Sequence, residues 1–173
     1  MSEAEKKTNR RDFLFTASYT LGAVGVGSII WPLVHQMNPD KAQQALATTE
    51  VDISQVEPGK SITVLWRGKP VFLKRRTNEE IAEARAVALK DLPDPQRDEE
   101  RVKIGKDEWL VMIGVCTHLG CVPLKDKGDF NGWFCPCHGS HYDISGRIRK
   151  GPAPKNMEIP KYEFVDSNII KIG

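Results

Sequence analysis

The chain has 173 residues, room for one ordinary domain plus an appendage, and it balances 25 Lys and Arg against 23 Asp and Glu. A net charge of +2 is too even to argue for a nucleic-acid partner. With 28% charged residues and a mean hydropathy of −0.40, most of the chain is built to face water.

Residues 1–12 are polar and include Lys6, Lys7, Arg10 and Arg11. From Phe13 to Val34 there follow 22 residues without a charge. As a helix at about 1.5 Å per residue they span roughly 33 Å, enough for a hydrocarbon core of about 30 Å. Basic residues crowd the N-terminal side of this run, which predicts a cytoplasmic N-terminus and an exported remainder. Asn9 to Leu14, around Arg10 and Arg11, resembles a twin-arginine export signal, departing from the usual pattern at Asn9 and Phe15. That route carries folded proteins. Ala45-Leu46-Ala47 looks like a cleavage site, but the apolar run exceeds a signal core of about 7–15 residues and the site lies far beyond it. Residues 1–35 are therefore read as a signal and retained anchor. Ser18, Gly22 and Gly25 share one face, where another helix could come close. Trp31 and His35 are expected at the membrane interface.

Residues 36–49 read as a linker: Pro39 breaks the helix, and the Ala/Gln run has little apolar surface to pack. Residues 50–173 form the head. Val51 and Ile53 alternate with polar neighbours. Ser61–Trp66 and Pro70–Lys74 flank Arg67-Gly68-Lys69 as a hairpin. Thr77-Asn78-Glu79-Glu80 is a capping box, so a short helix begins near Asn78 and turns Ile81, Ala84 and Ala88 to one side. Pro93 and Pro95 close that section, and Arg97–Arg101 reads as a solvated charge run. Trp109–Val115 reads as a buried strand leading into Cys116. Residues 128–132 form a turn, Trp133-Phe134 a short strand, Ile144–Ile148 a turn and strand, and Tyr162–Val165 with Ile169–Ile172 a last hairpin.

The chemistry is concentrated between Cys116 and Tyr142. C-T-H-L-G-C stands at 116–121 and C-P-C-H-G-S-H-Y at 135–142, holding all four cysteines and three of the four histidines. Cys116 and His118 are two apart, Cys135 and His138 three apart. Each pair suits a short loop that turns one Cys and one His toward a common point. Two thiolates and two imidazoles suit zinc, or an iron–sulfur cluster in which two His replace two Cys on one iron. In the second case two ferric ions, two sulfides and two thiolates sum to zero, so the cluster accepts an electron more readily than an all-thiolate one. A zinc site explains four ligands but leaves the second cysteine pair, Cys121 and Cys137, without a purpose. The fold class expected is all-β: an antiparallel base, a small cluster-binding lobe at about 115–154, and one transmembrane helix in front.

These two motifs, with Gly151-Pro152-Ala153-Pro154 after them, resemble the Rieske iron–sulfur subunits of the ubiquinol–cytochrome c reductases, in their proteobacterial and mitochondrial branch. The resemblance implies one [2Fe-2S] cluster held by Cys116, His118, Cys135 and His138, and a disulfide between Cys121 and Cys137. It implies that Ser140 hydrogen-bonds a bridging sulfide and Tyr142 a ligand thiolate. By the same resemblance Gly151, Pro152 and Pro154 would belong to a loop that covers the cluster. His138, with His118 beside it, would meet ubiquinol, and Leu119 and Gly120 would shape the contact. An imidazole bound through one ring nitrogen keeps the other free for a quinol hydroxyl. The implied partners are b-type and c-type cytochrome subunits in a dimeric complex, and inner-membrane lipid. The implied setting is the bacterial inner membrane with a periplasmic head, which suits a disulfide, and residues 36–49 become the hinge on which the head moves. Two neighbouring classes stay open at this point: a soluble Rieske ferredoxin or oxygenase component, and the small Rieske subunit of another exported oxidoreductase such as arsenite oxidase. His141 is expected to be structural.

Overall fold

A computed structural model describes residues 9–38 and 47–173, and the chain divides into two units, Met1–Gln44 and Ala45–Gly173. Helix α1, Arg10–His35, forms the described part of the first unit. It begins a turn earlier than the apolar run, after Asn9, with Asp12 in its first turn where the helix dipole favours a carboxylate. Its 26 residues span about 39 Å. The hydroxyls of Thr16, Thr20 and Ser28 donate back to the carbonyls of Asp12, Thr16 and Gly25 at 2.7–2.8 Å. Polar groups in an apolar helix are thus satisfied within the helix, as a lipid environment demands. Trp31 and His35 stack at 6.3 Å near its end. The predicted helix break at Pro39 and most of the predicted hinge, including the Ala45-Leu46 positions, lie outside the described residues.

The head is three antiparallel sheets. The first joins β1 (Thr49–Asp52), β10 (Ile169–Ile172) and β9 (Tyr162–Phe164), so the two ends of the head pair with each other. The second joins β2 (Ser61–Trp66), β3 (Lys69–Arg75) and β4 (Trp109–Ile113). The third joins β5 (Leu124–Lys125), β6 (Asn131–Cys135), β7 (Ser140–Asp143) and β8 (Ile148–Lys150). The β2–β3 turn is Arg67-Gly68 with φ of 50° and 73°, the pair of positive angles a two-residue hairpin needs.

The middle sheet is covered on both faces, and this places the site. Along β4 the side chains alternate: Trp109 and Val111 enter one core with Val51, Ile170 and Ile172, while Leu110 and Met112 enter a second. That second core contains Trp133, Tyr142, Ile148 and Met157, and also Cys116 and Cys135. Each fully buried Leu, Ile or Met here contributes about 1.5–3 kcal/mol by leaving water. The cysteines of the motif are therefore part of a packed interior, and their loops start from rigid strands.

Between β3 and β4 the capping box forms as predicted, and α2 runs Asn78–Ala86 with Thr77 as its N-cap. Ala84 is buried, but Ala88 lies beyond the helix end. Glu80 does double duty: Oε2 accepts from the Thr77 N–H at 2.9 Å, and Oε1 pairs at 2.9 Å with Lys74, a buried lysine. Thr77→Ala should cost about 1 kcal/mol, the usual worth of a cap. Glu80→Ala should cost more, because it leaves Lys74 with the exposed Asp126 at 3.5 Å. Denaturant unfolding of the two variants checks this order.

Arg97–Arg101 is a correction. It is not a solvated loop but a 3-10 turn, Asp98–Arg101, with Asp98 1% and Arg101 2% exposed. Arg76, also buried, donates to both Asp98 oxygens at 2.6 and 3.2 Å, and the Ser145 hydroxyl donates to Asp98 as well. Arg101 donates to the carbonyls of Ser145 and Met157 at 2.6 and 2.7 Å. Burial pushes its guanidinium down to about 10, with the nearby Asp143 carboxylate working the other way. The partners lie 22 to 56 residues away, which is why the charge run read as solvated.

Candidate metal centre

Strand β4 delivers the first loop. The Cys116 N–H donates to the Cys121 carbonyl at 2.7 Å, and the Gly120 N–H donates back to the Cys116 carbonyl at 3.0 Å. The loop 116–121 thereby closes on itself. Strands β6 and β7 deliver the second: Cys135 pairs with Ser140, and the Gly139 N–H donates to the Cys135 carbonyl at 3.0 Å. Both tips are thus short, hydrogen-bonded turns. The disulfide and the two imidazole rings bring the tips face to face. Cys116 and Cys135 are free thiols, each 2% exposed. His118 is half-buried and His138 exposed, and their rings meet edge to face at 4.6 Å. Cys121 and Cys137 are joined in a disulfide that ties one tip to the other.

The sulfurs of Cys121, Cys135 and Cys137 lie within 4.8 Å of one another. Two of these sulfurs are spent in the disulfide and offer no thiolate. The donors left are the Cys116 and Cys135 thiols and the two imidazoles, a set that suits an iron–sulfur cluster with His on one iron. His118 Nδ1 supports that fit: it is buried and has no hydrogen-bond partner among the described residues. A buried ring nitrogen left bare is costly unless it binds something.

The two thiols differ. Burial pushes the Cys116 thiol up, but hydrogen bonds from the Tyr142 hydroxyl and the His118 backbone N–H outweigh it, and it ends below its ordinary value. Burial pushes the Cys135 thiol up, and the neighbouring Cys116 adds to the rise. One buried site thus favours one thiolate over two, as like charges in a small space require. Tyr142 is fully buried, and its hydroxyl lies 3.3 Å from Cys116 Sγ. Burial and that bond push its pKa up to about 12, so it keeps its proton and donates it to the sulfur.

The Gly151–Pro154 segment lies against the second tip. The Ala153 N–H donates to Ser140 Oγ at 3.2 Å. Gly151 has φ of 104°, and a Cβ there would run into the Gly139 carbonyl, so glycine lets the segment touch the second tip. Pro152 and Pro154 are exposed, as are Leu119 at 71% and Gly120. His141 points elsewhere. Its Nδ1 accepts from the Asp129 N–H at 3.1 Å, and its ring packs on Phe134 at 4.8 Å. Thr117 escaped the sequence reading. Its N–H donates to the Tyr142 hydroxyl at 3.1 Å and its own hydroxyl to the Lys155 carbonyl at 2.6 Å. A threonine between a Cys and a His carries no signal of that in one sequence.

The Rieske [2Fe-2S] domain family matches residues 48–163, and the family described as ubiquitinol-cytochrome C reductase Fe-S subunit TAT signal matches residues 1–40. A Rhodospirillum rubrum protein named ubiquinol-cytochrome c reductase iron-sulfur subunit is 54% identical over 185 residues, covering 100% of both chains. One of that name from Rickettsia prowazekii (strain Madrid E) is 53% identical over 177 residues, again covering 100% of each. A solved structure named hyperthermophilic respiratory Complex III has a TM-score of 0.54 and 30% identity, over 90% of this chain and 97% of that one. The chain carries a Rieske [2Fe-2S] domain, and with full-length relatives above half identity it belongs to the Rieske iron–sulfur subunits of the ubiquinol–cytochrome c reductases.

Proposed function

We propose that this chain takes one electron from ubiquinol and passes it to a c-type cytochrome, as the Rieske subunit of a ubiquinol–cytochrome c oxidoreductase. The observation that carries this is the pair of imidazoles at an exposed tip, His138 open to solvent above two buried thiols. Cys116, His118, Cys135 and His138 would hold one [2Fe-2S] cluster. When bound, that cluster supplies a one-electron acceptor which gains a negative charge on reduction. The chain's own residues supply the rest. The outer nitrogen of His138 accepts a hydrogen bond, then a proton, from the quinol hydroxyl, with His118 alongside. Leu119 and Gly120 present an apolar, low-profile rim against which a partner b-type cytochrome can exclude water. Gly151, Pro152 and Pro154 cover the opposite side. Helix α1 anchors the chain in the bacterial inner membrane, with Arg10 and Arg11 as export signal, the N-terminus cytoplasmic and the head periplasmic. Residues 1–35 serve as anchor, 36–49 as hinge and 50–173 as head, within a dimeric complex that also holds the c-type cytochrome.

The test is quinol-dependent reduction of cytochrome c by membranes with and without this chain. The reading expects activity that disappears on deletion and returns with the full-length chain. Full activity without the chain contradicts it.

Ser140 and Tyr142 would tune the site. A hydroxyl donated to sulfur withdraws negative charge and favours the reduced state. Tyr142→Phe removes the hydroxyl 3.3 Å from Cys116 Sγ with little change of shape. The midpoint potential should fall by tens of millivolts, since about 59 mV is a tenfold change for one electron. Ser140→Ala should act in the same direction and the double variant further. Redox titration checks all three.

A further inference from the structure

Asn156, the residue just after the covering segment, is buried and has its polar groups engaged. Its N–H donates to Asp94 Oδ2 at 2.9 Å. Its Nδ2 donates to the Asp94 carbonyl at 3.0 Å and to Gln96 Oε1 at 3.3 Å, and its Oδ1 accepts from the Ile148 N–H at 2.9 Å. Gln96 Oε1 in turn accepts from Arg101 at 2.7 Å. Thus the end of the covering segment is fastened to the β3–β4 connection.

The fastened segment directs hydroxyl protons. Each hydroxyl has one proton to give. Thr117 gives its own to the Lys155 carbonyl, and its N–H donates to the Tyr142 oxygen, which leaves the tyrosine proton for Cys116 Sγ. Ser140 Oγ accepts from the Ala153 N–H, which leaves its own proton to be given on the other side. Both arrangements need Ala153 and Lys155 held in place.

We propose that Asn156, with Asp94 and Gln96, is a positioning clasp that holds residues 151–155 so that Tyr142 aims its proton at the Cys116 sulfur and Ser140 keeps its own proton free for the site. The redox half of this rests on the function proposed above, and the mechanical half does not.

The experiment compares Asp94→Ala, Asn156→Ala and Asp94→Asn in the full-length chain. Amide hydrogen exchange of residues 151–157 should speed up about tenfold in both alanine variants, ~1.4 kcal/mol of local opening. Exchange in β1, β9 and β10 should not change. The equilibrium constant for reduction should fall about threefold, ~28 mV at 59 mV per tenfold. Asp94→Asn keeps an acceptor oxygen for the Asn156 N–H and should restore both readings. Asp94 is only half-buried, so its variants keep the test alive if Asn156→Ala does not fold. Unchanged exchange overturns the clasp, and faster exchange with an unchanged potential overturns its tuning role. A wild-type chain with no reducible centre sinks the functional reading instead, while the exchange comparison still decides the clasp.

Discussion

His138→Ala should abolish quinol oxidation, lowering turnover of the assembled enzyme at least a hundredfold. Cys116→Ser, Cys135→Ser and His118→Ala should do the same. A missing ligand leaves an iron open to water, and the remaining three donors cannot keep the cluster. Iron bound per chain should fall to less than about a tenth of the wild-type value. The chain itself supplies a control. His141 stands three residues from His138 yet bonds the Asp129 N–H and packs on Phe134. His141→Ala should therefore keep its iron and most of its turnover. Equal loss in both histidine variants would mean that the second loop simply collapses when altered, and the ligand assignment would lose its support.

Cys121→Ser and Cys137→Ser carry the next largest effect. The disulfide closes a span of 16 residues and joins the two tips that carry the thiols. Constraining a loop of that length is worth about 3 kcal/mol in the unfolded chain. In the folded site it is also the covalent link between two tips whose own backbone bonds, Cys116–Cys121 and Cys135–Gly139, lie within each tip. Either variant should lower unfolding stability by about 3 kcal/mol and shed iron at least ten times faster than wild type. The wild-type chain treated with a strong thiol reductant should follow the variants. Iron retention and denaturant midpoints equal to wild type would show that the disulfide is dispensable to the site.

Much of the head could be read from local pattern. The capping box at Thr77–Glu80, the apolar run of β4 and the Arg67-Gly68 turn depend on neighbours in sequence, and they form, with β4 ending at Ile113 rather than Val115 and Lys69 in the strand rather than the turn. The candidate metal donors were legible for a related reason: C-x-H and C-x-x-H are local spacings that short loops can satisfy. What escaped is nonlocal. Asp98 and Arg101 look like surface charges until Arg76, Ser145 and Met157 are brought to them. Thr117 and Asn156 are ordinary residues whose roles come from partners 25 to 62 residues away. Strand β5 is two exposed residues paired with β6, too short to leave a period-2 signal. In each case the determining interaction joins elements whose sequence separation hides it.

The most direct measurement is paramagnetic resonance with nitrogen hyperfine spectroscopy on the reduced full-length chain. A cluster held by Cys116, Cys135, His118 and His138 predicts the rhombic signal of a reduced two-iron centre with couplings to two distinct imidazole nitrogens. Neither coupling should change in His141→Ala. A chain that binds zinc in place of iron, or a two-iron signal without nitrogen coupling, would contradict the account.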